Sequence, residues 1–485
     1  MFDNWHPKPG DRVFRPRRIK RFRLRRVLGV PSVFSAGYGN VGSSIYYALG
    51  IVALVAMGAT PIALGIAGVL FIFTALTYAE GTAALPEAGG SASFARHGFG
   101  NLAGFIAGWA LMLSYIVTIS ISAFTIPPYL GFFWEPFKSS PFIGTIASMG
   151  IVFFLMVVNV FGIRETSFIN VGAAVLDILT QVSLVVIGFI ILFNPAVLIQ
   201  RIVDNWPTTS NLVLGIALAT IAYTGIETMS QMAEETKRPE KSVPRALVMM
   251  IVTVLVVFAG ISLVSLSAMP PEELASEWAR DPVAGIAFYI PIELIRTILK
   301  PLIAVLAGTI LLIATNAGLI GISRLAFSLG SHGLVPPVLS RVHSRFKTPY
   351  ISIIVFSLIA ILILIPGFFA TDVFANMGAL YAVGSLLAFM FAHASILSLR
   401  VKKPEMPRPF KLGWNMRIKG RELPISAMIG LAATSAIWVV MLITQPYSRW
   451  VGLGWMVGGF ILYYFYQRSR RASSAFRQGE REKLN

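Results

Sequence analysis

The sequence predicts an all-α polytopic membrane protein with twelve transmembrane helices, and three observations carry that expectation. The 485-residue chain is 56% hydrophobic and 13% charged with a mean hydropathy of +0.74, whereas soluble domains carry about 25% charged residues. Twelve apolar runs are long enough to cross a bilayer as helices. The basic residues fall unevenly on the connections between those runs, as they do when one side of a membrane retains positive charge.

The runs lie at 33–56, 61–79, 99–124, 142–163, 168–193, 211–233, 246–269, 299–323, 349–366, 373–398, 424–444 and 449–466. Ten Lys or Arg stand in the first 26 residues. No apolar core and cleavage site of the secretory kind accompanies them, so this tail is expected in the cytoplasm beside anionic headgroups. Alternation then puts 34 Lys and Arg inside and six outside, namely Lys138, Arg201, Arg280, Arg296, Lys300 and Arg449. That asymmetry fits a multi-pass cell-membrane protein with both termini cytoplasmic. The expected division is a basic cytoplasmic tail (1–30), a ten-helix core (31–398), a basic cytoplasmic loop (399–423), helices 11 and 12 (424–466) and a basic, polar, disordered tail (467–485). The longest outer connection, 270–298, is acidic, with Glu272, Glu273, Glu277, Asp281 and Glu293. It holds either short helices over an entrance or a plain solvated loop.

Composition excludes several classes. The chain has no cysteine, which removes disulfide, thiolate-metal and cysteine-nucleophile chemistry. Its five histidines are scattered without metal-ligand spacing, with His332 and His343 in one polar loop and His97 in another. No phosphate-binding G-x-x-x-x-G-K-[ST] loop or nucleotide-domain-sized segment supports a primary pump, and no nucleophile-base pair or cofactor loop supports an enzyme. No cofactor is expected. The net charge of +18 follows from the inside-positive loops, so the expected partners are the lipid bilayer and a small solute rather than nucleic acid.

The first run carries Gly37, Gly39, Gly42, Ser43 and Ser44 within eight residues. An unpaired backbone group in hydrocarbon costs several kcal/mol, so a break there belongs beside a cavity; small residues also let two helices pack closely, which is the alternative. The sixth run is interrupted in the same way at Thr224 and Gly225. Breaks in spans one and six, five apart, are expected when two five-helix halves repeat with opposite topology and the broken members meet near the midplane. Their N-terminal half-helix ends offer N–H groups to an anion and their C-terminal ends offer carbonyls to an ammonium or metal ion. The acids well inside spans are Asp177 and Glu227, and no Lys or Arg sits at similar depth. Each is protonated, hydrated or coordinating a cation, the alternative being a neutral, hydrogen-bonded structural carboxyl.

Three stretches resemble the amino acid/polyamine/organocation permease superfamily. GYGNVGSSIYY (37–47) is similar to the family's G-x-G-x-x-G-[ST]-G-[IV]-[FY] element. AYTGIETMSQMAEETKRPEKSVPRAL (222–247) is close to its A-[FY]-x-G-[FI]-[DE]…AEE-x-x-[NR]-P…[LVI]-P block. SRLAFSLGSHGLVPPVLSRVHSRFKTP (323–349) is similar to its R…A…G-[LM]-[LFV]-P…TP loop. The resemblance, over residues 30 to about 400, implies a leucine-transporter-type 5+5 inverted repeat with broken helices 1 and 6, followed by two C-terminal helices.

By position, the resemblance implies that Gly42, Ser43 and Ser44, with Asn40, Val41 and Tyr47 about them, present N–H groups to a substrate carboxylate. Tyr223, Thr224 and Ile226, about Gly225, would supply carbonyls to an amine. Ser114, Tyr115 and Thr118 of span three, with Ser114 and Thr118 on one face, and Thr315 and Asn316 of span eight would line the remainder. Ser44 replaces the motif's fourth glycine. Asp177 stands where some proton-coupled members carry a lysine, so here a cation would be attracted or a proton carried; Asp177 and Glu227 are the coupling candidates for a proton or monovalent cation.

The expected function is secondary active transport of an amino acid or related small amine by alternating access, coupled to protons, with Tyr46, Tyr223 and Phe327 as gate candidates. The alternative is a potassium or other monovalent-cation/proton symporter of the same superfamily. Tyr47, Tyr115, Thr118 and Ser122 fit that branch, but Asn40 and Ser114 stand where it carries acids, and a dehydrated potassium ion needs several oxygens. A channel is set apart by higher flux and no counterflow.

Overall fold

The computed structural model describes residues 26–162, 166–370, 372–418 and 420–483. The basic tail before Arg26 lies outside the described residues. The described chain is helical apart from a two-stranded antiparallel hairpin, Asn415–Ile418 with Arg421–Pro424.

Ten helical stretches among the described residues are long and apolar enough to cross a membrane. The first of them, Val30–Ala84, has 55 residues and is interrupted at Met57–Ala59. Met57 takes a φ of 46° and Pro61 opens the next helix, Thr60–Ala84, so the chain turns there. Helix Pro195–Asp204 braces the turn: Gly58 N–H donates to Asn205 O at 3.0 Å, and a Cβ on Gly58 would lie 2.6 Å from Arg201 O. Bare backbone is required at that approach. The last helix, Pro446–Lys483, is not among the ten. It continues through the segment expected to be disordered, whose Arg, Ala, Gln, Glu and Lys are strong helix formers.

Burial separates interior spans from peripheral ones. The most apolar windows of Asn101–Leu130 and Thr209–Gln231 are 83% and 78% buried, against 28% in both Pro141–Phe161 and Ile425–Thr444. The peripheral helices expose Phe153, Phe154, Ile190, Val252, Val256 and Leu362, apolar side chains that suit a lipid surface better than water. Helix Asn101–Leu130 packs against Glu293–Ser331 and Val373–Lys402, and Pro239–Ala268 packs against Thr60–Ala84. The first span touches all the elements that matter below: Thr166–Ile191, Glu227–Gln231, Pro239–Ala268 and Glu293–Ser331.

Two connections fasten these layers. The loop 270–298 contains short helices Pro271–Ala275 and Pro282–Phe288; Lys138 bonds Asp281 there at 2.8 Å and lies over the Trp278 ring. At the opposite face, helix Thr60–Ala84 runs past the expected end of the second apolar run and buries Glu80. Arg400 Nε and Nη2 chelate that carboxylate at 2.7 and 2.6 Å, Leu412 N–H donates to it at 2.7 Å, and Arg408 stands 3.5 Å away. Sequence reasoning left Glu80 in a loop because the apolar pattern ends one residue earlier.

Candidate functional site

The two interrupted spans differ in kind. In the first, Val41, Gly42, Ser44 and Ile45 all keep right-handed helical torsions, and Gly42–Ser44 form a single 3-10 turn. The turn is tightened by serine hydroxyls, since Ser43 Oγ and Ser44 Oγ donate to Asn40 O at 3.0 and 3.2 Å. Gly42 N–H is donated to Tyr38 O. The expected break in span one is therefore a constriction and not an unwound stretch: side chains on Ser43 and Ser44 favour helical torsions and supply the hydroxyls that close the turn.

The sixth span is unwound as expected. After the 3-10 turn Thr220–Tyr223, Thr224 is extended (φ −83°, ψ 158°) and Gly225 takes φ +109°, a conformation open to glycine at low cost. A short helix, Glu227–Gln231, then resumes. Glu227 closes the gap on itself: its Oε2 accepts from Gly225 N–H at 3.0 Å, while its Oε1 has no protein partner.

The constriction and the break lie against one another. Asn40 Nδ2 donates to Thr228 Oγ1 at 2.9 Å, a Cβ on Gly225 would stand 2.7 Å from Asn40 Cγ, and one on Gly37 would strike Met229. Asn40, Val41, Ser43, Ser44, Tyr47, Thr224, Ile226 and Glu227 are all fully buried. The Ser44 hydroxyl shares a 2.9 Å hydrogen bond with Tyr47 OH. Four tyrosines face the Glu227 carboxylate electrostatically: Tyr47 of the first span, Tyr78 of Thr60–Ala84, Tyr115 of Asn101–Leu130 and Tyr381 of Val373–Lys402. Tyr78 and Tyr381 were missed, because a lone tyrosine in an apolar run carries no signal of its own.

The other expected positions divide. Tyr115 is wedged against Gly321, and its hydroxyl is buried without a protein partner. Thr118 Oγ1 donates to Ser114 O at 2.9 Å, whereas Ser114 Oγ is buried without a protein partner. Thr315 is buried but turns its hydroxyl back to Leu311 O. Asn316 does not join the group: its Oδ1 accepts from Asn159 of Pro141–Phe161 at 2.6 Å, one helix face away from Thr315. Tyr223 does not act as a gate in this arrangement either. Its hydroxyl donates to Leu64 O at 2.9 Å and its ring is held by Phe71 and Phe258, so it fixes the sixth span to the second.

Asp177 forms a second buried acidic centre on Thr166–Ile191. Its carboxylate accepts from Tyr46 OH at 2.6 Å, Tyr38 OH at 3.0 Å and Gln181 Nε2 at 2.6 Å. Tyr46 is engaged here rather than free as a gate, and its carbonyl receives Tyr129 OH at 2.9 Å. Among the described residues no group of three His, Asp or Glu could hold a metal ion. What the arrangement offers chemically is a half-satisfied carboxylate at a helix break and a fully satisfied one behind it, each suited to a proton or a cationic group.

Known proteins resemble the chain along its length. It is 25% identical over 472 residues to the branched-chain amino acid permease BcaP of Bacillus subtilis, covering 92% of this chain and 94% of that protein. It is 26% identical over 459 residues to the methylthioribose transporter of the same organism, covering 92% and 94%. With the glutamate/serine transporter AimA, also from Bacillus subtilis, it shares 25% over 473 residues, covering 92% and 82%. The family model described as amino acid permease matches residues 28–465, and the chain therefore belongs to the amino acid permease family: it is a multi-pass membrane transporter and not an enzyme.

Proposed function

We propose that this permease is a secondary active transporter that moves an amino acid or related small amine by alternating access, coupled to protons. The carrying observation is the juxtaposition of the span-one constriction with the unwound Thr224–Gly225 segment, where Glu227 keeps one carboxylate oxygen free. A zwitterion fits such ends: the N–H groups about Asn40–Ser44 suit its carboxylate once the constriction loosens, and the carbonyls of Tyr223–Ile226 with Glu227 suit its ammonium. Ser114, Tyr115, Thr118 and Thr315 then complete the wall. Asp177 and Glu227 are the coupling acids.

The same reading takes the turn at Met57 as dividing Val30–Ala84 into two crossings and counts Pro446–Lys483 as the last, giving twelve spans with a 5+5 inverted repeat. The 34-to-six distribution of Lys and Arg supports cytoplasmic termini in the cell membrane.

Reconstituted vesicles test this directly. Uptake of radiolabelled isoleucine, serine, glutamate, putrescine and rubidium is measured with and without an imposed pH gradient. Saturable, gradient-dependent uptake of one of the amino acids or the amine with counterflow and no rubidium flux is expected. Rubidium uptake without amino acid or amine uptake would replace this reading with the potassium symporter.

A further inference from the structure

The buried polar groups do not stop at Glu227. Gln231 stands one turn from Glu227 on the short helix Glu227–Gln231. The Cβ position of Gly90 lies 3.5 Å from both Gln231 Nε2 and Tyr78 Cε1, which puts Gln231 against the same turn. Tyr78, Ser91 and Gln231 are at most 1% exposed, yet Tyr78 OH, Ser91 Oγ, both amide atoms of Gln231 and Glu227 Oε1 have no protein partner. Beside them Thr82 and Ser230 hydroxyls bond each other at 2.6 Å. An unmet buried polar group is costly, and a cluster of them is hard to attribute to packing. Native proteins satisfy such rows with ordered water.

The row leads to one surface. Gly89 and Gly90, with φ of 132° and 51°, turn the chain into helix Ser91–Phe99. Ala88 N–H donates to the partly exposed Glu234 at 3.1 Å, and Glu87 pairs with Arg96 at 2.7 Å. Leu28 bridges Thr236 on this same face. The tyrosines within electrostatic range of Glu227 are Tyr47, Tyr78, Tyr115 and Tyr381, from spans one, two, three and ten.

We propose that Tyr78, Ser91 and Gln231 form a hydrated proton path joining Glu227 to the surface that carries the loop Leu85–Gly90. The proposal rests on Glu227 as the coupling acid. Protonated Glu227 releases H⁺ from Oε1 to the Tyr78 hydroxyl or a water bound to it, as that group passes its own proton toward Ser91. Each O–H bond broken is matched by one formed. Glu227 is left as carboxylate and the proton enters bulk water beside Glu234. Gln231 orients the row by donating through Nε2 and accepting through Oε1.

The test is cargo-independent. The purified full-length protein in lipid nanodiscs is mixed into D₂O and the H/D shift of its protonated carboxyl bands is followed by infrared spectroscopy, the Glu227 band being the one that Glu227→Gln removes. Tyr78→Phe, Gln231→Leu and the smaller Ser91→Ala are expected to slow exchange of that band about tenfold or more. Exchange as fast as in the unmodified protein in all three variants overturns the path and leaves Glu227 as the coupling acid. If Glu227→Gln removes no band, Glu227 carries no proton, and both readings fall.

Discussion

Glu227 is tied by one oxygen and open at the other. Glu227→Gln keeps an acceptor for Gly225 N–H and removes the charge. It is expected to leave the unfolding temperature in detergent nearly unchanged and to abolish the response of vesicle uptake to a pH gradient; gradient-driven uptake at the original rate would remove Glu227 from the mechanism. Asp177 is different, since Tyr38, Tyr46 and Gln181 all donate to it. Asp177→Asn sets an amide donor against these donors, at a cost of about 1–3 kcal/mol. Lower thermal stability together with altered ion dependence of uptake is expected, and unaltered ion dependence would retire Asp177 as a coupling group. Both acids were legible in the sequence because a charge inside an apolar run is conspicuous. Of the tyrosines around them, Tyr46, Tyr47 and Tyr115 are named by the sequence in other roles while Tyr38, Tyr78 and Tyr381 are not, since hydropathy does not register which side of a helix a hydroxyl faces. Asn316 was misassigned for the same reason: one position from Thr315, it lies about 100° around the helix and bonds Asn159.

At the scale of the element, Thr224–Gly225 was legible as a break and Gly42–Ser44 was overstated. Gly225 needs its positive φ, and a side chain there would meet Asn40. Gly225→Ala is thus expected to cost about 1–3 kcal/mol in strain alone, seen as a lower unfolding temperature, and to lower substrate uptake more than the strain explains because the Asn40–Thr228 contact is displaced. Wild-type stability and uptake would show that the sixth span has room to re-form its helix. Ser43 and Ser44 resemble breakers by composition, but their hydroxyls return to Asn40 O and hold the turn. The second run was cut too short because its helix keeps going after apolar residues end, carrying Glu80 inside.

Across the whole molecule, Glu80 and Arg400 join the ends of helices Thr60–Ala84 and Val373–Lys402, and Leu412 ties the hairpin-bearing loop to the same carboxylate. Arg400→Met leaves the buried carboxylate with Leu412 N–H and the more distant Arg408 and is expected to cost about 3–5 kcal/mol, read as a fall in unfolding temperature. A change no larger than that of an exposed control, Arg417→Met, would mean that the pair is hydrated and adds little. The last helix is fastened reciprocally, Trp109 and Trp455 each donating an indole N–H to the other's carbonyl at 2.8 Å. No sequence pattern announces pairings of such separation; they arise when distant apolar faces meet and polar tips must find partners.

Tyr46 and Tyr47 are consecutive residues, yet one grips Asp177 and the other bonds Ser44 within electrostatic range of Glu227. A modest roll of that rod about its long axis necessarily changes the surroundings of both carboxylates together. If the two acids have the coupling roles proposed for them, loading one would be felt at the other through a single mechanical variable, with no separate messenger between them.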